Sequence, residues 1–427
     1  MGINVLIVGS GAREHALTWK ALQSPLTDAV YCAPGNAGTA AIAVNAEIEA
    51  TDVDRIARFV KERSIELTVI GPEAAVAAGL ADRLIAEDRL VFGPTKAAGQ
   101  IESSKAFAKS LMERVGVPTP AFRVFDDPAK AKDYVRGERR AFVVKADGLA
   151  QGKGTLVPRD AEETLDCIDT LMLQKTVGSA ADRIVLEEKI EGREVSLMAL
   201  VDGDHVVPLA PACDYKRALD GDKGPNTGGM GGYSPVSFFG SDDVTGAVQT
   251  AFKLVVDALR ADGSPYRGCL YAGLMVGEAG IQVLEFNARF GDPETQVVLP
   301  RLETDLIPLL EAAARGALSN VNPSWSARSS VGVVLASHGY PSAYTSGHPI
   351  EGLGKVEPGV FVFHAGTAAD PAGYVTSGGR VLTVVGLGDS MTEARERVYR
   401  NVDRIQFQGV TYRRDLALRE LEAPALP

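Results

Sequence analysis

The chain has 427 residues, which at roughly 100 to 200 residues per domain implies several domains and more than one hydrophobic core. Its 44 Lys and Arg against 55 Asp and Glu leave a formal charge of -11, which argues against a sequence-independent grip on nucleic-acid backbones. Hydrophobic and charged fractions of 45% and 23% are those of a globular protein, and the longest apolar run, Gly268 to Gly277, falls well short of the roughly 20 residues that span a bilayer.

In chain order, Asn4 to Val8 is a short apolar run stopped by glycine, the mark of a strand buried on both faces of a parallel sheet. A helix is expected over Arg13–Gln23. Further short apolar runs at Ala29–Cys32, Leu67–Ile70 and Val91–Gly93 alternate with helical stretches at Val53–Arg63 and Ala75–Asp88. This alternation predicts a doubly wound α/β domain over residues 1–102. The start, Met1 to Gly9, carries strand residues instead of a basic leader, so a cytoplasmic protein is expected. Cys32, Cys167, Cys213 and Cys269 lie dozens of residues apart, which suits reduced, structural thiols.

A helix at Ser104–Val115 and the extended Gly116-Val-Pro-Thr-Pro120 open a second unit, expected over 103–316. Within it, strands at Phe142–Lys145, Thr155–Val157 and Ile184–Glu187 surround a helix at Ala161–Leu173, forming a mobile α+β insert over about 121–190. Strands at Glu194–Val201 and Gln282–Phe286 bracket a glycine-rich loop, Gly221 to Gly232, and a helix at Asp243–Ala261. A third, mostly β domain is expected over 317–427, with strands at Val331–Leu335, Val360–His364 and Val381–Val385 and a helix at Met391–Val402.

Two loops have phosphate-binding character. Gly9-Ser-Gly11-Ala-Arg13-Glu14 joins the first strand to the first helix, where free N–H groups and the helix dipole favour an anion; the alternative is a tight turn that binds nothing. Glu14 stands where a dinucleotide fingerprint needs glycine, which disfavours a nicotinamide cofactor. Gly148-Leu-Ala-Gln-Gly152-Lys153-Gly154 lacks P-loop spacing and reads as a flexible hairpin able to close over a triphosphate, or simply as a turn. Along Glu285-Phe-Asn287-Ala-Arg289 the alternation of a strand puts three polar groups on one face. A carboxylate and an amide oxygen suit magnesium, and Arg289 could clamp a phosphoryl or carboxylate group. Glu187 to Glu194 is either a nucleotide-binding hinge or a solvated acidic hairpin. The five histidines have no ligand-like spacing.

These motifs, with Gly71-Pro-Glu73, Ser104-Lys105-Ala-Phe107, Val144-Lys145-Ala-Asp-Gly148, Gly224-Pro-Asn-Thr-Gly-Gly-Met-Gly231, Glu285 to Gln296 and Ser377-Gly-Gly-Arg380, resemble the ATP-grasp superfamily and, within it, the phosphoribosylamine–glycine ligase family. The resemblance spans nearly the whole chain. It implies ligation of glycine to 5-phospho-β-D-ribosylamine with cleavage of ATP to ADP and phosphate, the second step of de novo purine synthesis. By the same resemblance, Glu285 and Asn287 hold Mg or Mn, Lys105 and Lys145 contact phosphate, and Gly152, Lys153 and Gly154 form the lid. Glu187, Glu188 and Ile190 correspond to the adenine clamp and Glu194 to the ribose ligand. Arg289, Asp292, Lys145, Asp214 and Lys216 take catalytic positions. Gly9, Gly11, Arg13, Glu14 and Glu73, with Gly228, Gly229, Met230 and Gly231, take substrate-binding ones. Lys189 and Arg193 depart from the family's hinge, where an apolar residue and an acid are usual, and Ser237-Phe-Phe-Gly240 also varies. A monomer acting on small molecules, without nucleic acid or membrane, is expected. The rivals are a sibling ATP-grasp carboxylating or formylating enzyme, a nucleotide-binding regulator and, last, a nicotinamide dehydrogenase.

Overall fold

The computed structural model describes residues 2–150 and 152–422, so Met1 and Gln151 of the glycine hairpin fall outside them. Its first unit is a five-stranded parallel sheet of β1 (Ile3–Gly9), β2 (Thr27–Pro34), β3 (Val44–Asn45), β4 (Leu67–Ile70) and β5 (Val91–Phe92), ordered β3-β2-β1-β4-β5. Val5 and Ile7 face α1 (Ala12–Ala21), while Leu6 and Val8 face the helices of the other layer, which is why the run shows no polar alternation. The helix expected over Ala75–Asp88 is two short ones, Glu73–Ala77 and Leu80–Ile85. Gly79 breaks it at φ +84°, a left-handed conformation that glycine adopts without a Cβ clash.

Ser104 caps α2 (Lys105–Val115), its hydroxyl accepting from the Phe107 N–H at 3.1 Å, and Gly116 ends the helix in the left-handed region. The insert follows as an antiparallel sheet of β6 (Phe122–Phe125), β7 (Phe142–Ala146), β8 (Thr155–Leu156) and β9 (Ile184–Glu188), ordered β6-β9-β7-β8. It has its own core of Val135, Phe142, Val144, Ile168 and Leu186, so the insert is a separately packed body. The larger sheet comprises β10 (Arg193–Asp202), β11 (Val206–Pro208), β12 (Arg267–Gly277) and β13 (Gly280–Asn287), ordered β11-β10-β12-β13 and antiparallel throughout. Sequence reading had no strand at β12, whose unbroken apolar run carries no alternation. Leu270, Ala272 and Leu274 pack on one face, and Cys269 and Tyr271 on the other, so Gly268 to Leu274 are buried without a break. The helix expected over Asp243–Ala261 begins at Ser241 and includes a π turn at Val248–Phe252.

The C-terminal sheet runs Cys213–Asp214, Gly231–Ser234, Ser329–Ser337, Arg380–Gly388, Val360–His364, with Val410–Thr411 also on the Ser329 strand. The glycine-rich loop and the third domain therefore share one sheet. Among the described residues, no helix is long and apolar enough to cross a membrane.

The first and last units meet through two histidines. His15 of α1 packs edge-on against Phe363, and its Nδ1 accepts the His364 backbone N–H at 2.8 Å, while Asn36 Nδ2 donates to the His364 carbonyl at 2.7 Å. Burial, then the neighbouring His364, pushes His15 down to about 3, and burial pushes His364 down to about 4. The unfolded chain therefore takes up these protons first. Their contribution is whole above about pH 6.5, and between there and the folded values it declines by about 1.4 kcal/mol per pH unit and group. His15→Asn keeps an acceptor without the titration, so its thermal midpoint should fall less than the wild type's between pH 7.5 and pH 4.5. Equal falls would show that this contact does not titrate.

Candidate active site

A cavity of about 990 Å³ opens where the insert, the β10–β13 sheet and the first and last units meet. On its floor, β13 presents Glu285 and Asn287 together, as the period of two requires, and Arg289 follows two residues beyond the strand's end. A bulge helps shape it: Gly273 pairs with Glu285 but Leu274 pairs with Val283, leaving Leu284 as the extra residue. The Leu284 carbonyl then accepts from Lys145 Nζ at 3.2 Å.

Lys105 Nζ lies 3.2 Å from Glu285 Oε2, and its charge, opposed by burial, holds that carboxyl well below the usual range. Among the described residues the buried Asn287 amide Nδ2 has no hydrogen-bond partner, and its Oδ1 accepts only a long bond of 3.3 Å from Arg289. An ionised carboxylate and an underused amide oxygen on one strand face fit a divalent cation completed by phosphate oxygens and water. Among the described residues there is no cluster of three or more His, Cys, Asp or Glu that could hold a metal. The fit is therefore to a cation shared with a phosphate ligand.

Arg289 is clamped between Glu73 at 2.9 Å and Glu102 at 3.0 Å. Burial would raise Glu73, but Arg289 and Arg13 outweigh it and hold the group at about 2, whereas burial prevails at Glu102 and raises it. Asp292 receives Gln296 Nε2 at 2.7 Å and Arg380 at 3.1 Å. Arg380 also donates to the carbonyls of Gly228 at 2.7 Å and Asp292 at 3.1 Å, and the Gly228 N–H donates to the Tyr340 hydroxyl at 2.9 Å. Lys216 bridges Asp214 at 2.7 Å and Glu194 at 3.5 Å. Glu294, 3% exposed, accepts from Ser196 Oγ at 3.0 Å; burial and then Asp214 raise its pKa.

The insert closes from above. Gly152 sits at φ +77°, and a Cβ there would lie 3.1 Å from the Thr227 carbonyl, so the hairpin rests on the glycine-rich loop where a side chain would crowd it. Asn226 Nδ2 donates to the Thr155 carbonyl at 3.0 Å across the same contact.

Models of the phosphoribosylglycinamide synthetase N domain, ATP-grasp (A) domain and C domain match residues 3–102, 103–295 and 330–419. A phosphoribosylamine–glycine ligase of Halalkalibacterium halodurans is 44% identical over 424 residues, covering 99% of each chain. The chain belongs to the phosphoribosylglycinamide synthetase family. The crystal structure of the Thermotoga maritima phosphoribosylamine–glycine ligase superposes with a TM-score of 0.85 at 34% identity, over 97% of this chain and 100% of that one. The Campylobacter jejuni biotin carboxylase, at 16% identity and a TM-score of 0.72 over 99% of this chain and 95% of that one, shares the fold.

Of the residues that the sequence nominates, the cleft gathers Arg13, Glu73, Lys105, Lys145, Gly152, Lys153, Gly154, Glu187, Glu188, Ile190, Glu194, Asp214, Lys216, Gly228, Glu285, Asn287, Arg289 and Asp292. It does not gather Gly9, Gly11, Glu14, Gly229, Met230 or Gly231. Glu14 is 1% exposed and is itself the anion at the first helix, accepting from the Gly11 N–H at 2.7 Å and pairing with Arg13. A side chain at Gly9 would strike the Glu14 carboxylate. Met230 is held behind the loop, its N–H bonded to the Tyr215 carbonyl at 2.8 Å. The Glu187 carboxylate is committed to Lys145 at 2.6 Å and to Lys109. Two segments expected to depart from the family pattern, Arg193 and Ser237–Gly240, touch: the Arg193 guanidinium lies 3.4 Å over the Phe238 ring. Sequence reading missed Glu102, Glu294, Tyr340 and Arg380 as site residues. For Arg380 the signal was the Ser377-Gly-Gly-Arg380 motif; Glu102 and Tyr340 stand in no motif.

Proposed function

We propose that the chain ligates glycine to 5-phospho-β-D-ribosylamine, with ATP cleaved to ADP and phosphate, as the second step of purine synthesis. The observation that carries this reading is one cleft in which Glu285 and Asn287 face Lys105 and Lys145 beneath a glycine hairpin, while Arg13, Glu73 and Arg380 line the same space. The ATP half of the cleft lies under the insert. Because the Glu187 side chain is already paired, adenine recognition falls to the hinge of Glu188 to Ile190, and ribose recognition to Glu194.

The ammonium groups of Lys105 and Lys145 orient and neutralise the transferring phosphoryl, a step that needs positioning more than proton transfer. Glu285 and Asn287 would hold Mg2+ or Mn2+, which supplies charge neutralisation at phosphate oxygens. Arg289 and Asp292 take the amino-acid side. The glycine carboxylate oxygen bonds to the γ-phosphorus as the bond to ADP breaks, giving glycyl phosphate; the ribosylamine nitrogen then bonds to the acyl carbon and gives up a proton as phosphate leaves with the electron pair of the acyl–oxygen bond. The hairpin of Gly152 to Gly154 excludes water from that acyl phosphate. Arg13 and Glu73 with Gly228 form the phosphoribosylamine side, with the glycines behind them shaping its wall.

We place the domain boundaries at 102 and 316, with the insert as lid, which the separate core of the insert and the matched segments support. The enzyme acts as a cytoplasmic monomer. The test omits ATP, Mg2+, glycine or freshly made phosphoribosylamine in turn from a complete mixture. ADP release is expected to need all four, and release independent of glycine would overturn the assignment.

A further inference from the structure

Lys109 stands one helical turn after Lys105 on α2, is 2% exposed, and has no part in the chemistry above. A buried ammonium is unfavourable unless paired and hydrogen-bonded. Its Nζ meets the Glu187 carboxylate and donates to Thr119 Oγ1 at 2.6 Å, and Thr119 donates to the Val283 carbonyl at 2.7 Å, on the strand that carries Glu285. The second Glu187 oxygen receives Lys145 Nζ at 2.6 Å. Two ammonium groups therefore share one carboxylate, itself 1% exposed. Of the two, only Lys145 lines the cleft; Lys109 is tied to the floor strand through Thr119. Burial and the Lys145 charge lower Lys109 to about 8, as expected for two cations competing for one anion.

We propose that Lys109 is a positioning residue that supplies the permanent counter-charge of Glu187, so that Lys145 can exchange Glu187 for the phosphates of ATP and return when the product leaves. Without Lys109, releasing Lys145 would strand a buried carboxylate, and the lysine would stay where it is. The proposal rests on the ATP reading of the cleft and adds to it a division of labour between two lysines.

The test is the ATP dependence of ADP formation with glycine and phosphoribosylamine saturating. In Lys109→Met the KM for ATP should rise about tenfold or more while the KM for glycine stays within about twofold. Lys109→Met/Glu187→Gln, which has no charge left to compensate, should recover most of the ATP KM, a coupling that a merely structural role would not produce. A double variant no better than the single, or a single variant with wild-type ATP KM, overturns the proposal. If Lys109→Met does not fold, Glu187→Gln is compared with the double variant: an unchanged ATP KM supports the proposal, and a further tenfold rise overturns it. Lys145→Met separates the underlying reading, because an unchanged ATP KM there would remove ATP from this cleft altogether.

Discussion

Glu285→Gln is expected to lower kcat/KM for ATP by roughly a thousandfold or more, about 4 kcal/mol of transition-state stabilisation, while the protein stays folded. Glu285 faces Lys105, Lys145 and Lys216 together from the cleft floor, and those ammonium groups keep it ionised. The amide keeps the shape and removes the charge on which a divalent cation depends. Folding should hardly notice. The side chain is 29% exposed and its single ion pair, with Lys105, is also partly open to water, where such a pair contributes about 1 kcal/mol or less. Asn287→Ala should behave alike, since it deletes the second oxygen from the same face. ADP release and thermal unfolding measured on the same preparations decide the matter. Turnover like the wild type's in both variants would remove the cation from this strand.

Arg289→Met is the complementary case, in which stability should suffer most. The guanidinium binds Glu73, Glu102 and the Phe290 carbonyl, the last at 3.1 Å, and among the described residues no other cation stands within bonding distance of Glu102. Removing it leaves Glu102, 7% exposed, as an unpaired buried charge, which typically costs about 3–5 kcal/mol. The sign of the pH dependence follows. In the wild type, Glu73 is held at about 2, so its contribution is present above the ordinary carboxylate range and is lost only as the pH falls towards 2. In the variant, both carboxyls should rise above their unfolded values and bind protons in the folded state, so the deficit against wild type should shrink as the pH falls from 8 to 5.5. A denaturation midpoint that drops equally at both pH values would mean that Arg289 contributes packing alone.

That Glu285 and Asn287 share a face could be read from the sequence because a strand's period of two places them there with no help from the rest of the chain, whereas Arg289 joins them from the bend just past the strand. The parallel character of the first sheet was equally accessible, since four apolar runs each stop at a turn residue before the next helix, whereas the two-residue β3 stands in no such run. β12 was not, because a strand covered on both faces shows the same unbroken apolar run as a buried helix segment. Glu14 illustrates a different difficulty: a glycine turn before a helix predicts an anion, and here the anion is the protein's own side chain three residues on. Lys109, Glu102 and Tyr340 act on residues far along the chain, and only the packed structure gives them neighbours. Glu187 had the right neighbourhood but not the right partner, because its carboxylate turns inward to two lysines.

Arg380 has a consequence for how such a protein can be taken apart. It reaches backbone oxygens 152 and 88 residues earlier in the chain, on the two loops that flank the floor strand. A fragment ending at residue 316 would keep every residue proposed to meet ATP and still leave those loops unanchored. Exchanging residues 317–427 between relatives should therefore succeed only when the arginine and the loop backbones it grips move as one inherited set.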